Sequence, residues 1–379
     1  MGVMLQQSER QWRRLSWRPF GIALFLTLSG CASLSGDRDS LMTARPVDGA
    51  SERRILAATT RKRSDEGGAV FGIERAAGLD YASLAISVPP THKPGEVETS
   101  HEPLGDPKTD FVIGNADYLS GDDAFLAQLN AELRRQPHGR RKILLFIHGF
   151  NTLFYEAAFR SAQIAHDAKL PIVPVVFSWA SKGSVVNYGY DNNSALIARP
   201  QLARFLKLLQ KSDADKIDIV AHSLGNLVLV EALIQMKLQG VKLDPSKIGF
   251  VVMASPDIDF DVFKSQLAQA GSQQAPYFVL ISKDDQALSL SRLIAGGRPR
   301  LGALDDPKEL ATLGATVIDA TDLKAQDPVN HDKYAQIAQI APQLEQEFER
   351  SSSMDASRLA DRFRSLPIGG AILQVYSGH

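Results

Sequence analysis

The sequence predicts an α/β fold, a mostly parallel central sheet with helices on both faces, and three observations carry that prediction. Short runs rich in Val and Ile recur through the middle of the chain. They are apolar throughout rather than alternating, as strands buried on both faces must be. Most of them are separated by segments of helical periodicity, the pattern of strand and crossover helix.

Taken in order, "RILAATTRKR" (Arg54 to Arg63) begins the fold as an edge strand, and "DYASLAISVPP" alternates like another strand that Pro89 and Pro90 stop. Residues 91–110, rich in proline and charge, read as an exposed loop. "KILLFIH", "IVPVVFSW", "KIDIVAH", "KIGFVVMAS", "YFVLIS" and "ATVIDA" are the six core strands. "EAAFRSAQIAHDA", "ALIARPQLARFLKLLQ" and "LVLVEALIQMKLQ" are helices among them, and "AQIAQIAPQLEQEFER" reads as the last helix. Sheets of this kind hold ligands at the carboxyl ends of their strands.

With 44% hydrophobic and 22% charged residues the chain is of ordinary globular composition. Its 42 Lys and Arg against 43 Asp and Glu leave no basic excess to neutralise a phosphate backbone, so no nucleic-acid partner is expected. The single cysteine excludes an internal disulfide framework. Its position is informative: a basic start with Arg10, Arg13, Arg14 and Arg18, a short apolar run from Phe20 to Leu28, then "LSGC" ending at Cys31. The run is shorter than the roughly 20 residues of a membrane span.

The chain thus divides into four segments: an export signal over 1–30, the cysteine with a flexible tether over 31–51, the main folded domain over 52–348, and a tail over 349–379 of uncertain structure. The "LSGC" stretch resembles the lipobox of bacterial lipoproteins, which implies acylation of Cys31. Ala32, where aspartate would signal inner-membrane retention, then favours the outer membrane, with the domain facing the periplasm.

The chemistry concentrates in "KIDIVAHSLGNLVLVEALI", where an apolar strand runs into an apolar helix around Ala221, His222, Ser223, Leu224 and Gly225. A serine becomes a nucleophile only if exposed and within reach of a base, and a sharp strand-to-helix turn flanked by small residues presents it so. This is GxSxG with alanine in the first position. Alternatively, Ser223 only caps the helix. "FIHGFN" supplies the second constellation. Backbone N–H groups of Phe150 and Leu224 would stabilise a developing oxyanion.

These motifs, with "FSWASKGS", "ASPDID", "SKDDQALSLSRL", "DPVNHDKY" and the strands of "FGIERAAGLDYASLAISVP", resemble the alpha/beta-hydrolase superfamily. Within it they resemble a bacterial esterase/lipase-like family of unknown function, over roughly Ile55 to Gln346. The resemblance implies the hydrolase fold and a nucleophile–acid–histidine order. It makes His331 the base and Asp285 the acid, with Asp257 and Asp284 as alternative acids. Trp179, Tyr188 and Tyr190, with His148, Asn151 and His222, are candidate pocket residues.

No cofactor and no metal is expected: Asp257 and Asp259 read as helix caps, and none of the eight histidines has HExxH spacing. The implied activity is hydrolysis of a small-molecule ester or lipid-like substrate. The rival reading is a noncatalytic envelope binding or assembly protein on the same fold.

Overall fold

The computed structural model describes residues 47–65, 69–100, 105–270, 277–341, 367–368 and 371–377, all within one unit spanning 33–379. The segment predicted as an export signal, Cys31 and most of the predicted tether lie outside the described residues. No described helix is long and apolar enough to cross a membrane.

The first half of the domain comprises β1 (Ser51–Arg63), β2 (Phe71–Val88), β3 (Val112–Leu119), α1 (Gly121–Leu133), β4 (Lys142–Ile147), α2 (Phe154–Asp167), β5 (Ile172–Ser178) and α3 (Tyr188–Leu209). The second half comprises β6 (Lys216–His222), α4 (Gly225–Leu238), β7 (Ile248–Ala254), α5 (Phe260–Ala270), β8 (Tyr277–Ile281), α6 (Gln286–Ile294), α7 (Pro307–Ala311) and β9 (Thr316–Asp319). Near the C-terminus come β10 (Pro367–Ile368), β11 (Ala371–Ile372) and β12 (Gln374–Ser377). The ten-stranded sheet has the order β12-β9-β8-β7-β6-β4-β5-β1-β2-β3. Its pairs from β1 through β9 are parallel; β2, β3 and β12 join antiparallel.

Alternate residues of each central strand feed two cores. Ile143, Leu145 and Ile147 of β4 join one cluster with α1, α3 and α4, while Leu144 and Phe146 join the other with α2. That two-sided burial is why these strands are apolar at every position.

Three expectations change. β1 is an interior strand, paired with β5 on one side and β2 on the other, not an edge. Ile55, Leu56, Ala57 and Ala58 are all fully buried, a run that an edge strand does not need. The tail contributes β12, which pairs with β9, so the sheet extends beyond residue 348. The segment read as a last helix is 3₁₀ over Lys333–Ile340; its remainder, beyond Ala341, lies outside the described residues.

Candidate functional site

β6 carries the chain to the carboxyl edge of the sheet, and a two-residue joint turns it into α4. Ser223 stands in that joint at φ 52°, in the left-handed region that residues with a Cβ avoid. The strain is held by hydrogen bonds. The Ser223 N–H donates to the Ala254 carbonyl (2.9 Å), and the Ser223 carbonyl accepts from the Asn226 N–H (3.1 Å), the Asn226 side chain (3.0 Å) and the Asp257 N–H (3.2 Å).

Gly225 permits the tight return: a Cβ there would lie 2.4 Å from the His148 carbonyl oxygen, closer than atoms can pack. Ala221 is buried between Ile147 and Met253 on neighbouring strands, so its methyl fits where the motif has glycine. Capping does not explain the serine. The N-cap position of α4 is Leu224, and the Ser223 hydroxyl makes no hydrogen bond among the described residues.

His331 lies on the loop after β9. Its carbonyl accepts from His222 Nε2 (3.3 Å) and the Ser255 hydroxyl (3.4 Å), and its ring centroid is 4.5 Å from that of His222, the neighbour of Ser223. Both oxygens of Asp327 accept from the His331 N–H (2.9 and 3.1 Å), and Asn330, just before it, is left-handed at φ 58°. His331 Nδ1 is 2.7 Å from Asp285 Oδ2. Burial resists charging this ring, but Asp285 first, then Asp327 and Asp257, outweigh it, and the His331 pKa is raised above the usual histidine value.

The three candidate acids separate by their partners. Asp285, fully buried, caps α6 by accepting from the Leu288 N–H at Oδ1 (2.9 Å) and turns Oδ2 to His331. Asp284 points away, to Lys333 Nζ (2.6 Å) and the Ser282 hydroxyl (2.5 Å). Asp257 is occupied by the Ser291 hydroxyl (2.6 Å), the Tyr188 hydroxyl (3.2 Å) and an ion pair with Arg300 (3.2 Å). Asp259 accepts from the N–H groups of Asp261 and Val262 at the start of α5.

The "HGFN" loop lies directly against the elbow: a Cβ on Gly149 would fall 2.6 Å from that of Ser223. Among the described residues neither the Phe150 nor the Leu224 N–H has a hydrogen-bond acceptor. Two residues that the sequence did not single out shape this loop. Asp191, fully buried, accepts from the Asn151 N–H (3.3 Å), the Ser181 hydroxyl (2.5 Å) and the Lys182 N–H (3.0 Å). Burial dominates there, and its pKa is raised. Arg61, also fully buried, donates to the carbonyls of Thr152 (2.7 Å) and Ser181 (2.8 Å). Arg61 opens the charged run Arg61, Lys62 and Arg63 at the end of β1, so nothing in the sequence marked it as the buried one of the three.

The candidate pocket residues divide. Tyr188 reaches the site, its ring edge-on to Phe150 at 5.2 Å. Asn151 is left-handed at φ 56°, with a buried Oδ1 that has no partner among the described residues. His222 lies beneath His331, stacked on Tyr334, and burial pushes its pKa well down. Tyr190 lies under the Arg75 guanidinium, and its hydroxyl donates to the Ile73 carbonyl (3.4 Å).

His148 and Trp179 are corrected from pocket lining to core. They are 1% and 0% exposed and stack at 5.0 Å, and the indole N–H donates to the His148 carbonyl (2.8 Å). His148 Nε2 also meets the Ser178 hydroxyl at 3.1 Å, a buried serine–histidine contact. Ser178 is fully buried and already accepts from Arg61 Nε (2.9 Å). Burial, aided by Arg61, drives the His148 pKa down to about 3, so this pair is a packed neutral contact.

The family model described as "Alpha/beta hydrolase of unknown function (DUF900)" matches residues 122–347, more than half of the chain, and the chain belongs to that family. No curated protein matches it. Among solved structures it is similar to Aspergillus fumigatus lipase B, at 14% identity and TM-score 0.39, covering 68% of this chain and 63% of the lipase. It is also similar to a Pyrobaculum calidifontis esterase (10%, TM-score 0.33, covering 79% and 87%). A third is a thermostable esterase from Pseudomonas putida (12%, TM-score 0.31, covering 86% and 90%).

Proposed function

We propose that this alpha/beta hydrolase is a serine hydrolase of carboxylic esters, with Ser223 as nucleophile, His331 as base and Asp285 as its orienting acid. The observation that carries the reading is the 2.7 Å contact between His331 Nδ1 and the buried Asp285, on a loop hydrogen-bonded to the residue beside a left-handed serine.

Each residue has a defined part in the chemistry. Asp285 keeps the proton of His331 on Nδ1, leaving Nε2 free to take the Ser223 hydroxyl proton as Oγ attacks the ester carbonyl. The carbonyl oxygen gains charge, and the N–H groups of Phe150 and Leu224 stabilise it. Collapse of the tetrahedral adduct breaks the bond to the alkoxide, which leaves with the proton from Nε2, and Ser223 holds the acyl group. Water then gives its proton to His331, attacks the acyl carbon and releases the acid, and Ser223 regains its hydrogen.

The unengaged Ser223 hydroxyl is compatible with this sequence of steps, because catalytic hydrogen bonds often tighten only once substrate is bound. The enzyme's address on this reading is the bacterial cell envelope, where acylated Cys31 anchors it and small-molecule ester or lipid-like substrates reach it. Several acyl chains on one cysteine give stable anchoring, at roughly 0.8 kcal/mol per buried methylene.

Two experiments test these points. A fluorophosphonate probe is expected to label the soluble chain lacking residues 1–31 at Ser223. The labelling rate falls as pH drops through a midpoint above 6.5, because a raised pKa keeps His331 protonated, and so useless as a base, to a higher pH. A folded protein that leaves Ser223 unlabelled refutes the reading, and a midpoint at or below 6.5 removes the Asp285-paired histidine from it. For the anchor, incorporation of a fatty-acid analogue in cells should vanish in Cys31→Ala. Persistent incorporation would rule out lipidation at that cysteine.

A further inference from the structure

At the far end of α2 from the elbow, His166 and Asp167 meet the loop that comes after β2. Fourteen residues of helix span about 21 Å, so this cluster is separate from Ser223. His92 comes from that loop, and its side chain is only 6% exposed; that of Asp167 is 2% exposed. His92 Nε2 lies 2.9 Å from Asp167 Oδ1, and His92, His166 and Asp167 each offer one ligand atom, the three lying within 4.8 Å of one another. The His92 and His166 rings are edge-to-face at 5.2 Å.

The surroundings of these three atoms are as specific as the atoms themselves. The other nitrogen of His92, Nδ1, faces Glu98 Oε2 at 2.9 Å, and the second oxygen of that carboxylate accepts from the Lys93 N–H (2.7 Å). The other oxygen of Asp167 accepts from the Gly95 N–H (2.7 Å) and the Gln163 amide (2.6 Å). Metal-binding histidines are commonly oriented in this way by a carboxylate on the remote nitrogen, and ligating carboxylates by hydrogen bonds on the remote oxygen. His166 Nδ1 is buried and has no hydrogen-bond partner among the described residues, a costly state for a polar atom unless something else engages it.

We propose that His92, His166 and Asp167 bind a divalent transition-metal ion of the zinc type, with Glu98 orienting His92. Zinc–nitrogen and zinc–oxygen bonds of about 2.0–2.2 Å in a tetrahedron put ligand atoms roughly 3.3 Å apart. The 2.9 Å pair has only to open slightly, and the His166 atom, within 4.8 Å of the others, to close in by at most about 1.5 Å. Two imidazoles and a carboxylate suit zinc, copper, nickel or iron better than magnesium or calcium, which prefer oxygen alone. One carboxylate in the coordination sphere and a second behind His92 balance a double positive charge. The metal would fasten residues 92–98 to α2, a structural duty independent of hydrolysis. His92 and His166 lie too far apart in the chain to show motif spacing, which is why the sequence predicted no metal.

The test is zinc chloride titrated by calorimetry into chelator-stripped protein lacking residues 1–31, with thermal unfolding followed in parallel. One zinc per chain is expected, with a rise in Tm. His166→Gln abolishes the rise and weakens binding at least a hundredfold. Since His166 Nδ1 has no hydrogen-bond partner to lose, that variant should fold without metal. Glu98→Gln weakens binding about 10- to 100-fold. His331→Ala leaves it unchanged, distinguishing this site from the histidines around Ser223. Absence of zinc binding by the folded wild type overturns the proposal, as does equal affinity and equal Tm rise in His166→Gln. Either result would leave the cluster as a protonated His92 held between two carboxylates.

Discussion

Ser223→Ala is expected to lower turnover of an activated ester by about 10⁶-fold, and removing His331 from the same chain should add almost nothing. On the proposed mechanism the two side chains act in one step, so a base without a nucleophile has no proton to accept. His331→Ala alone should cost nearly as much, because an unassisted hydroxyl is a poor nucleophile at neutral pH. The fold should survive both changes: the elbow is held by the backbone groups of Ser223 and by Asn226 rather than by the hydroxyl. Initial rates for the two single variants and the double variant give the answer. Losses that multiply would mean that Ser223 and His331 serve separate purposes, and the acyl-enzyme scheme would fall.

Asp285→Asn is expected to reduce turnover by roughly 10⁴-fold with little change in stability. Asparagine can still accept from the Leu288 N–H and cap α6, so the helix keeps its start. The change removes the charge opposite His331 Nδ1 and the preference for a proton there. Asp284→Asn should be mild in rate, since its side chain serves Lys333 and Ser282. Asp257→Asn should instead lower stability, by up to about 3–5 kcal/mol, because it strips the buried Arg300 of its counter-charge. Turnover and Tm for the three variants separate these outcomes. A 10⁴-fold rate loss at Asp257 or Asp284, with Asp285→Asn near wild type, would move the acid.

How much of this was legible in the sequence depended on whether local pattern or tertiary contact decided each feature. The six core strands were legible because burial on both faces leaves a run of Val and Ile that little else produces. The elbow was legible because its sterics act over five consecutive residues, Ala221 to Gly225. β3 was not, since an edge strand exposed along Asn115–Tyr118 carries polar residues and resembles a loop. Nor was the interior place of β1, which depends on β2 folding back over it. Asp284 and Asp285 differ by one position, and only the start of α6 decides which turns toward His331. Asp327 and Asn330 stand within the legible "DPVNHDKY" motif, but their part in presenting His331 is a matter of backbone geometry.

The placement of β12 has a consequence for how the protein is made. Four residues, Gln374–Ser377, provide the antiparallel partner for β9, the strand that leads into the His331 loop. Until they emerge from the ribosome, the row of N–H and C=O groups along that side of β9 lacks its mate, and an unmated strand invites pairing with another chain. The central strands can assemble during synthesis, but this border of the sheet closes only once Gln374–Ser377 have been made. A premature stop just before Gln374 would therefore spare every residue of the proposed triad and still yield a protein prone to stick to its own copies.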